Sequence, residues 1–329
     1  MIDQAGRTID YLRLSVTDLC NYRCAYCMPE TGVCKREHGE ICSIEELAEM
    51  GAAAVACGVK KIRLTGGEPL VRRGVLTLCE RLRELAGLRE LAVTTNGSLL
   101  PAMAADLRRA GVDRLNISLD TLRPDRFSAI TRRGALSDVL AGLASAEVAG
   151  FTGTKINVVL LGGINSDEIP DFVELTRQAD YAVRFIELMP MSVCADWPAE
   201  RFVSAGAVLR AVPELVREGV DGVSEVYRVP GYRGTVGLIR PMSCRFCAQC
   251  SRIRITSQGT LKPCLHDSAE IPLRGLHGEA LSAAIRAAAY AKPERHHLVE
   301  LRRSQAGRDM NEIGGSRGGR PRYAPPRKA

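Results

Sequence analysis

Three cysteines stand within eight residues of "DLCNYRCAYC": Cys20, Cys24 and Cys27, spaced CxxxCxxC with no obvious fourth thiol. Structural zinc takes four closed ligands, usually as two pairs. A cubane iron-sulfur cluster has four irons, so three thiolates leave one iron open to a substrate or cofactor. A second group, Cys247, Cys250 and Cys264 in "CAQCSRIRITSQGTLKPC", again supplies three ligands. By spacing alone this group also admits zinc, with Cys244 or His266 as fourth ligand. Arg252 and Arg254 sit inside it one residue apart, so on a strand both point the same way. Such a pair of planar forks suits a phosphate-bearing substrate, while a solvated basic strand is the plainer reading.

These residues need a scaffold. From Tyr11 to about Glu187, short β-branched runs alternate with amphipathic stretches: Leu12 to Thr17, Lys60 to Thr65, Glu90 to Thr95, Asp113 to Leu119, Thr154 to Leu160 and Tyr181 to Glu187. Ser43 with Glu46 three residues on is a capping box that opens a helix through Cys57, closed at Gly58. Alternation of this kind means parallel strands with right-handed helical crossovers. The expectation is an α/β protein, an incomplete (βα)6 TIM-type barrel over residues 1–197. A C-terminal extension, residues 198–315, carries the second cysteine group and closes the barrel mouth. Within it Gly219 to Gly237 reads as a loop with short strands, and Glu279 to Ala291 as a short helix.

Read with a period of two, one strand face is repeatedly polar: Arg13, Ser15 and Thr17; Arg63 and Thr65; Thr94 and Asn96; Asn116, Ser118 and Asp120; Lys155 and Asn157. Parallel strands covered by helices have no solvent face. The polar face is therefore a lumen built to hold a charged ligand.

The formal charge of +7 does not point to nucleic acid, because Arg317, Arg320, Arg322, Arg327 and Lys328 in residues 316–329 leave only +2 for the body. That Gly-, Pro- and Arg-rich tail reads as disordered. No apolar run approaches a membrane span and no signal peptide is evident, so a cytoplasmic location is expected.

With an aromatic residue before its last cysteine, "CNYRCAYC" resembles the signature of the radical S-adenosylmethionine (SAM) superfamily, and "TGGEP", Thr65 to Pro69, resembles the loop that holds the SAM amino group there. Glycines in that loop let backbone groups approach a ligand closely. Together "LRLSVTDLCNYRCAYCMP", "GVKKIRLTGGEPLVRR", "TTNG", "LNISLDTL", "KINVV", "RFIELMP", "FCAQCSRIRI" and "KPERHH" are similar to the GTP 3',8-cyclase (molybdenum cofactor biosynthesis protein A) family, from about Gly6 to Gly315.

The resemblance implies two [4Fe-4S] clusters. One, on Cys20, Cys24 and Cys27, binds SAM; the other, on Cys247, Cys250 and Cys264, meets the guanine base through its open iron. It implies SAM contacts at Tyr26, Gly67, Ser118 and Met189. GTP contacts fall at Arg13, Arg63, Thr94, Lys155, Arg184, Arg252 and Arg254, with Arg13, Arg252 and Arg254 as the catalytic set. The implied activity is that of a lyase opening molybdenum-cofactor biosynthesis. A 5'-deoxyadenosyl radical takes hydrogen from C3' of the ribose, the carbon radical attacks C8, and reduction yields (8S)-3',8-cyclo-7,8-dihydroguanosine 5'-triphosphate. The implied partners are an electron donor and a cyclic pyranopterin monophosphate synthase acting on the product, with neither nucleic acid nor membrane; the oligomeric state stays open, a homodimer included.

No GxxxxGK[ST] phosphate loop is present. Side chains must then neutralise the triphosphate, and Arg13, Arg63, Lys155, Arg184, Arg252 and Arg254 set six cations against roughly four negative charges. A radical SAM enzyme acting on a peptide is the nearest rival, but gives Arg252 and Arg254 no evident role. A zinc-organised RNA-binding module would need stacking platforms, and aromatics are only 5% of the chain.

"MNEIGG", Met310 to Gly315, resembles the Gly-Gly tail that family members send into the active site, yet fourteen residues follow it here. Threading past the site, trimming, and function without tail insertion are all open. Cys34, Cys42, Cys57, Cys79 and Cys194 read as packing or incidental thiols, and Cys244 as a spare neighbour of the second group. None of the five histidines is expected to be catalytic.

Overall fold

The six β-branched runs become strands β1 (Tyr11–Ser15), β2 (Lys61–Thr65), β3 (Glu90–Thr95), β4 (Arg114–Ser118), β5 (Lys155–Leu160) and β6 (Ala182–Glu187), all parallel. They are seen in a computed structural model that describes residues 1–33, 36–301 and 303–306. Cys34, the Gly-Gly motif and the basic tail lie outside the described residues.

The crossovers carry helices α1 (Ile44–Ala56), α2 (Val75–Arg83), α3 (Leu100–Arg109), α4 (Pro124–Thr131), α5 (Leu136–Val148) and α6 (Ile169–Glu174). Helix α1 starts at its capping box: Ser43 Oγ accepts the Glu46 amide at 3.1 Å, and Glu46 Oε2 accepts the Ser43 amide at 2.7 Å. Its buried side, Leu47, Met50, Ala54 and Val55, joins Leu78 of α2, Leu107 of α3 and Val139 of α5 in one core. Alternate strand residues complete that core, with Leu12, Leu14, Ile62, Leu64, Val93, Ile117, Ile156 and Phe185 all fully buried. Each such side chain contributes about 1.5–3 kcal/mol on burial. The same alternation turns the other strand face inward, and that face is polar.

Two further strands flank the six. After α7 (Gly206–Ala211) come β7 (Val216–Asp221), β8 (Ser224–Arg228) and β9 (Thr235–Ile239), and β9 joins β6 in parallel. Strand β10 (Arg252–Ile255) joins β1 in parallel and leads into β11 (Thr260–Lys262) and β12 (Ile271–Pro272). One twelve-stranded sheet results, in the order β12-β11-β10-β1-β2-β3-β4-β5-β6-β9-β8-β7. Its eight central strands form a partial TIM barrel, open between β9 and β10 among the described residues. Helices α8 (Gly278–Tyr290) and α9 (Leu298–Leu301) follow, α8 within a residue of the expected Glu279 to Ala291. No helix among the described residues is long and apolar enough to cross a membrane.

Candidate active site

The loop holding Cys20, Cys24 and Cys27 leaves the carboxyl end of β1 and is fixed from several sides. The Arg23 and Ala25 amides donate to the Thr131 and Ile130 carbonyls at the end of α4, each at 2.9 Å. The Tyr22 ring meets Phe127 edge-on, with centroids 6.0 Å apart. Tyr26 donates to Asp120 Oδ2 at 2.7 Å, while Asp120 Oδ1 accepts the Val159 amide at 2.8 Å. Burial pushes the Asp120 carboxyl up to about 6 in spite of these two donors.

The glycines of the next loop serve this one. A Cβ on Gly66 would stand 2.4 Å from the Thr17 carbonyl oxygen, and one on Gly67 would stand 2.3 Å from that of Leu19. Gly67 donates its amide to Thr17 and Glu68 its amide to Leu19, both at 2.8 Å. These glycines let the two loops approach each other closely, backbone to backbone.

Glu68, the acid of "TGGEP", cross-links the strand ends. Its Oε1 accepts from the Leu70 amide at 3.0 Å and the Thr95 hydroxyl at 2.8 Å, and its Oε2 from the Asn96 amide at 2.7 Å. Asn96 then donates to Asn21 Oδ1 at 2.7 Å, one residue from Cys20. The one signal for this network is the acid in "GGEP" together with the asparagine of "TTNG".

Below the loops lies the lumen. Arg254, Arg13 and Arg63 stand level in register on β10, β1 and β2. Thr94, Asn116 and Lys155 form another level on β3 to β5, and Ser118, Asn157 and Arg184 a third on β4 to β6. Arg63, Lys155, Arg184 and Arg254 are buried. Nε of Arg13, Nε of Arg63 and Oδ1 of Asn116 are buried with no hydrogen-bond partner among the described residues. Burial, with neighbouring arginine charge, pushes Lys155 down to about 8 and Arg63 down to about 10. The same causes hold Arg254 well below the usual arginine range. Burial alone would raise the Tyr11 phenol, but Arg63, Arg13 and Lys61 outweigh it and bring it down to about 8.

The second triad borders the open side of the barrel. Cys247 and Cys250 bracket a turn closed by the Cys250 amide on the Cys247 carbonyl at 3.1 Å, and Cys264 follows β11. All three line one cavity with Arg13, Arg252, Arg254 and Met189. Ile186 of β6 and Ile239 of β9 line it too, so the cavity bridges both flanks of the sheet. Tyr26, Gly67, Ser118, Arg63, Thr94, Lys155 and Arg184 are not part of that lining.

Two buried cations missed by the sequence reading hold this region together. Arg7 donates to the carbonyls of Cys247 (2.8 Å), Glu294 (2.9 Å), Lys292 (3.3 Å) and Pro293 (2.8 Å). Lys292 Nζ donates to Arg252 O at 2.9 Å and to Pro263 O at 2.7 Å, beside Cys264.

Both thiol sets fit iron-sulfur ligation. Burial raises Cys20 to about 11, and burial with the charges of Cys27, Asp120 and Cys20 raises Cys24 well above the usual thiol range. Thiols so raised ionise together only around added positive charge, which metal supplies. At the second triad burial is outweighed by Arg252 and Lys292, which bring Cys250 down to about 6. Among the described residues no three His, Cys, Asp or Glu side chains converge on a single-ion position. A cubane spreads its thiolates over separate irons and does not ask for one. Cys244 is exposed and lines a different cavity, so it stays a spare neighbour. His266 lines the second triad's cavity, with Nδ1 3.2 Å from Ser304 Oγ. Cys42, Cys79 and Cys194 are buried packing thiols.

The Radical SAM superfamily model matches residues 14–176, and the model described as Molybdenum Cofactor Synthesis C matches residues 181–298. A GTP 3',8-cyclase of Peptoclostridium acidaminophilum is 48% identical over 321 residues, covering 96% of this chain and 98% of its own. One of Geobacter sulfurreducens is 45% identical over 324 residues, covering 96% and 99%. Among solved structures, Streptococcus suis SuiB bound to S-adenosylmethionine superposes with a TM-score of 0.58 at 14% identity, over 90% of this chain and 66% of its own. The AdoMet-bound anSMEcpe gives 0.54 at 14% identity, over 91% and 81%. Likeness at that identity is one of fold. The near full-length identity to the two curated relatives goes further, and by it the chain belongs to the GTP 3',8-cyclase family of the radical SAM superfamily.

Proposed function

We propose that this chain is a lyase converting GTP to (8S)-3',8-cyclo-7,8-dihydroguanosine 5'-triphosphate, the first step of molybdenum-cofactor biosynthesis. Membership of the superfamily brings a [4Fe-4S] cluster and SAM, for which Cys20, Cys24 and Cys27 are the ligands, with Tyr26, Gly67, Ser118 and Met189 as SAM contacts. Cys247, Cys250 and Cys264 hold a second [4Fe-4S] cluster that faces the guanine. When bound, the first cluster and SAM supply the carbon radical that removes a substrate hydrogen.

What carries the reading is the level row of Arg254, Arg13 and Arg63 on three adjacent strands, two of which, Arg254 and Arg13, line the cavity shared with the second triad. Like charges side by side in a buried face repel, and a polyanion between them removes the repulsion. Arg13, Arg63, Lys155, Arg184, Arg252 and Arg254 bind the triphosphate, and Thr94 adds a neutral contact. The protein's work is positional: it fixes ribose against the radical source among buried side chains.

The test is one anaerobic incubation of reconstituted protein with dithionite, SAM and GTP. 5'-Deoxyadenosine and a cyclised nucleotide should form together. SAM cleavage without nucleotide consumption sinks the substrate assignment.

A further inference from the structure

Asp221, at the end of β7, reaches into the phosphate end of the lumen from the solvent side. Its Oδ2 lies 2.9 Å from Lys155 Nζ and also accepts from the Arg184 guanidinium. The two cations are 5% and 10% exposed, whereas Asp221 is 56% exposed. Arg184 can lie against β9 because its register partner is Gly237, where a Cβ would stand 3.0 Å from Arg184 Cγ. Both cations are thereby aimed at the place the carboxylate takes.

Resting on the reading of Lys155 and Arg184 as triphosphate ligands, we propose that Asp221 is a resident counter-ion that holds this pair and yields its place to the polyphosphate of GTP, releasing the β7 arm of the β7–β8 hairpin. Two buried cations without an anion are costly, and Asp221 supplies the anion for both. A carboxylate and a phosphate on the same two cations repel each other, so both cannot stay. The triphosphate brings roughly four negative charges against one, and wins the exchange.

The hairpin is built to give way. β7 is the terminal strand of the sheet, pairs among the described residues only with β8, is interrupted by a bulge between Arg217 and Gly219, and is exposed at every position but Gly219. Asp221 pairs with Ser224 across a two-residue turn in which Gly222 takes a φ of 64°. Ser224 itself is fully buried beside Gly237, so the hinge lies at the start of β8, and beyond the ladder the β7 arm is tied to β8 by the Glu218–Arg228 ion pair.

The test uses anaerobically reconstituted holoenzyme with SAM, titrated by calorimetry with GTP and separately with inorganic tripolyphosphate. Asp221→Asn should bind both more tightly, by about tenfold for loss of one competing charge, with a KM for GTP that falls along with Kd. Hydrogen exchange of the wild-type hairpin, residues 216–224, should speed up when GTP is added, a reading that needs no variant to fold. Unchanged or weaker binding by Asp221→Asn makes Asp221 a permanent support and overturns the proposal, as does slower or unaltered exchange. Lys155→Ala separates the two levels of the argument. If it leaves tripolyphosphate affinity intact, the phosphate-site reading has failed; if it weakens affinity while Asp221→Asn does not tighten it, only the counter-ion has.

Discussion

Glu68 accepts the Thr95 hydroxyl at 2.8 Å and so ties the loop after β2 to the end of β3. Two backbone amides share the same buried carboxylate. Removing it strands three donors in the interior, each costing about 1–3 kcal/mol. Glu68→Ala is expected to lose about 3 kcal/mol or more in urea denaturation and to retain less iron at Cys20, Cys24 and Cys27, since Asn96 then no longer orients Asn21. Glu68→Gln keeps a carbonyl acceptor and should lose less. Equal stability of Glu68→Ala and the parent would show the network to be incidental.

Gly67 offers a sharper probe of how the two loops seat on one another. Its Cβ would meet the Leu19 and Asp18 carbonyl oxygens at 2.3 and 2.6 Å, and backbone cannot step aside as a side-chain tip can. Gly67→Ala should therefore lower the melting temperature and abolish SAM binding. Gly39→Ala, where nothing stands within 4 Å, is the matched control and should be neutral within about 0.5 kcal/mol. Normal SAM affinity in Gly67→Ala would refute the packing account.

The lumen should make GTP affinity fall as pH rises through about 8, the value to which both Lys155 and Tyr11 are displaced. Lys155 sits below its ordinary value, so the free protein loses this cation early. Tyr11, also below its ordinary value, gains a negative charge over the same range. Both changes oppose a polyphosphate, and bound phosphate draws both protons back. Calorimetry in buffers of different ionisation enthalpy should thus show proton uptake on GTP binding near pH 8, with affinity falling by up to about tenfold per pH unit for each group. Tyr11→Phe should remove one of the two steps. A flat affinity profile across that window would sink the assignment.

The strands that bear Arg13, Arg63, Thr94 and Lys155 were legible because each buries one apolar face, and that need writes a period of two into the sequence. Residues 90–95 form a strand at the bounds the sequence suggests, and α1 starts at its capping box. Strands β9 and β10 were not legible as members of the parallel sheet: no α-helix separates them from each other, and they lie in glycine- and cysteine-rich segments whose sheet partners are distant in sequence. Glu68, Arg7 and Asp221 escaped notice for a related reason. A charged residue in a turn or near a terminus carries no periodic signal, and only tertiary contact decides that Glu68 and Arg7 are buried while Asp221 reaches two lumen cations.

Arg7 makes that last point testable. Asp3 prepares it, accepting the Arg7 amide at 2.8 Å and the Arg7 Nε at 2.6 Å, so the N-terminal turn aims the guanidinium at the second triad. Its two remaining nitrogens then serve four carbonyls, one belonging to Cys247 and three to residues 292–294. A planar fork with five donors can do this, and a lysine ammonium with three cannot. Bonds from a charged donor contribute about 1.5–3 kcal/mol each, so losing two or more frees the Cys247 turn from the 292–294 segment. On the proposed two-cluster reading, Arg7→Lys should consequently keep the first triad's iron and SAM binding but lose the second triad's, with iron falling from about eight to about four per chain after reconstitution. GTP affinity should drop with it. Lys292→Met, which releases Arg252 O and Pro263 O on the other side of the same triad, should reproduce that selective loss. Full iron content in both variants would show that the second triad needs neither buried cation to hold its geometry.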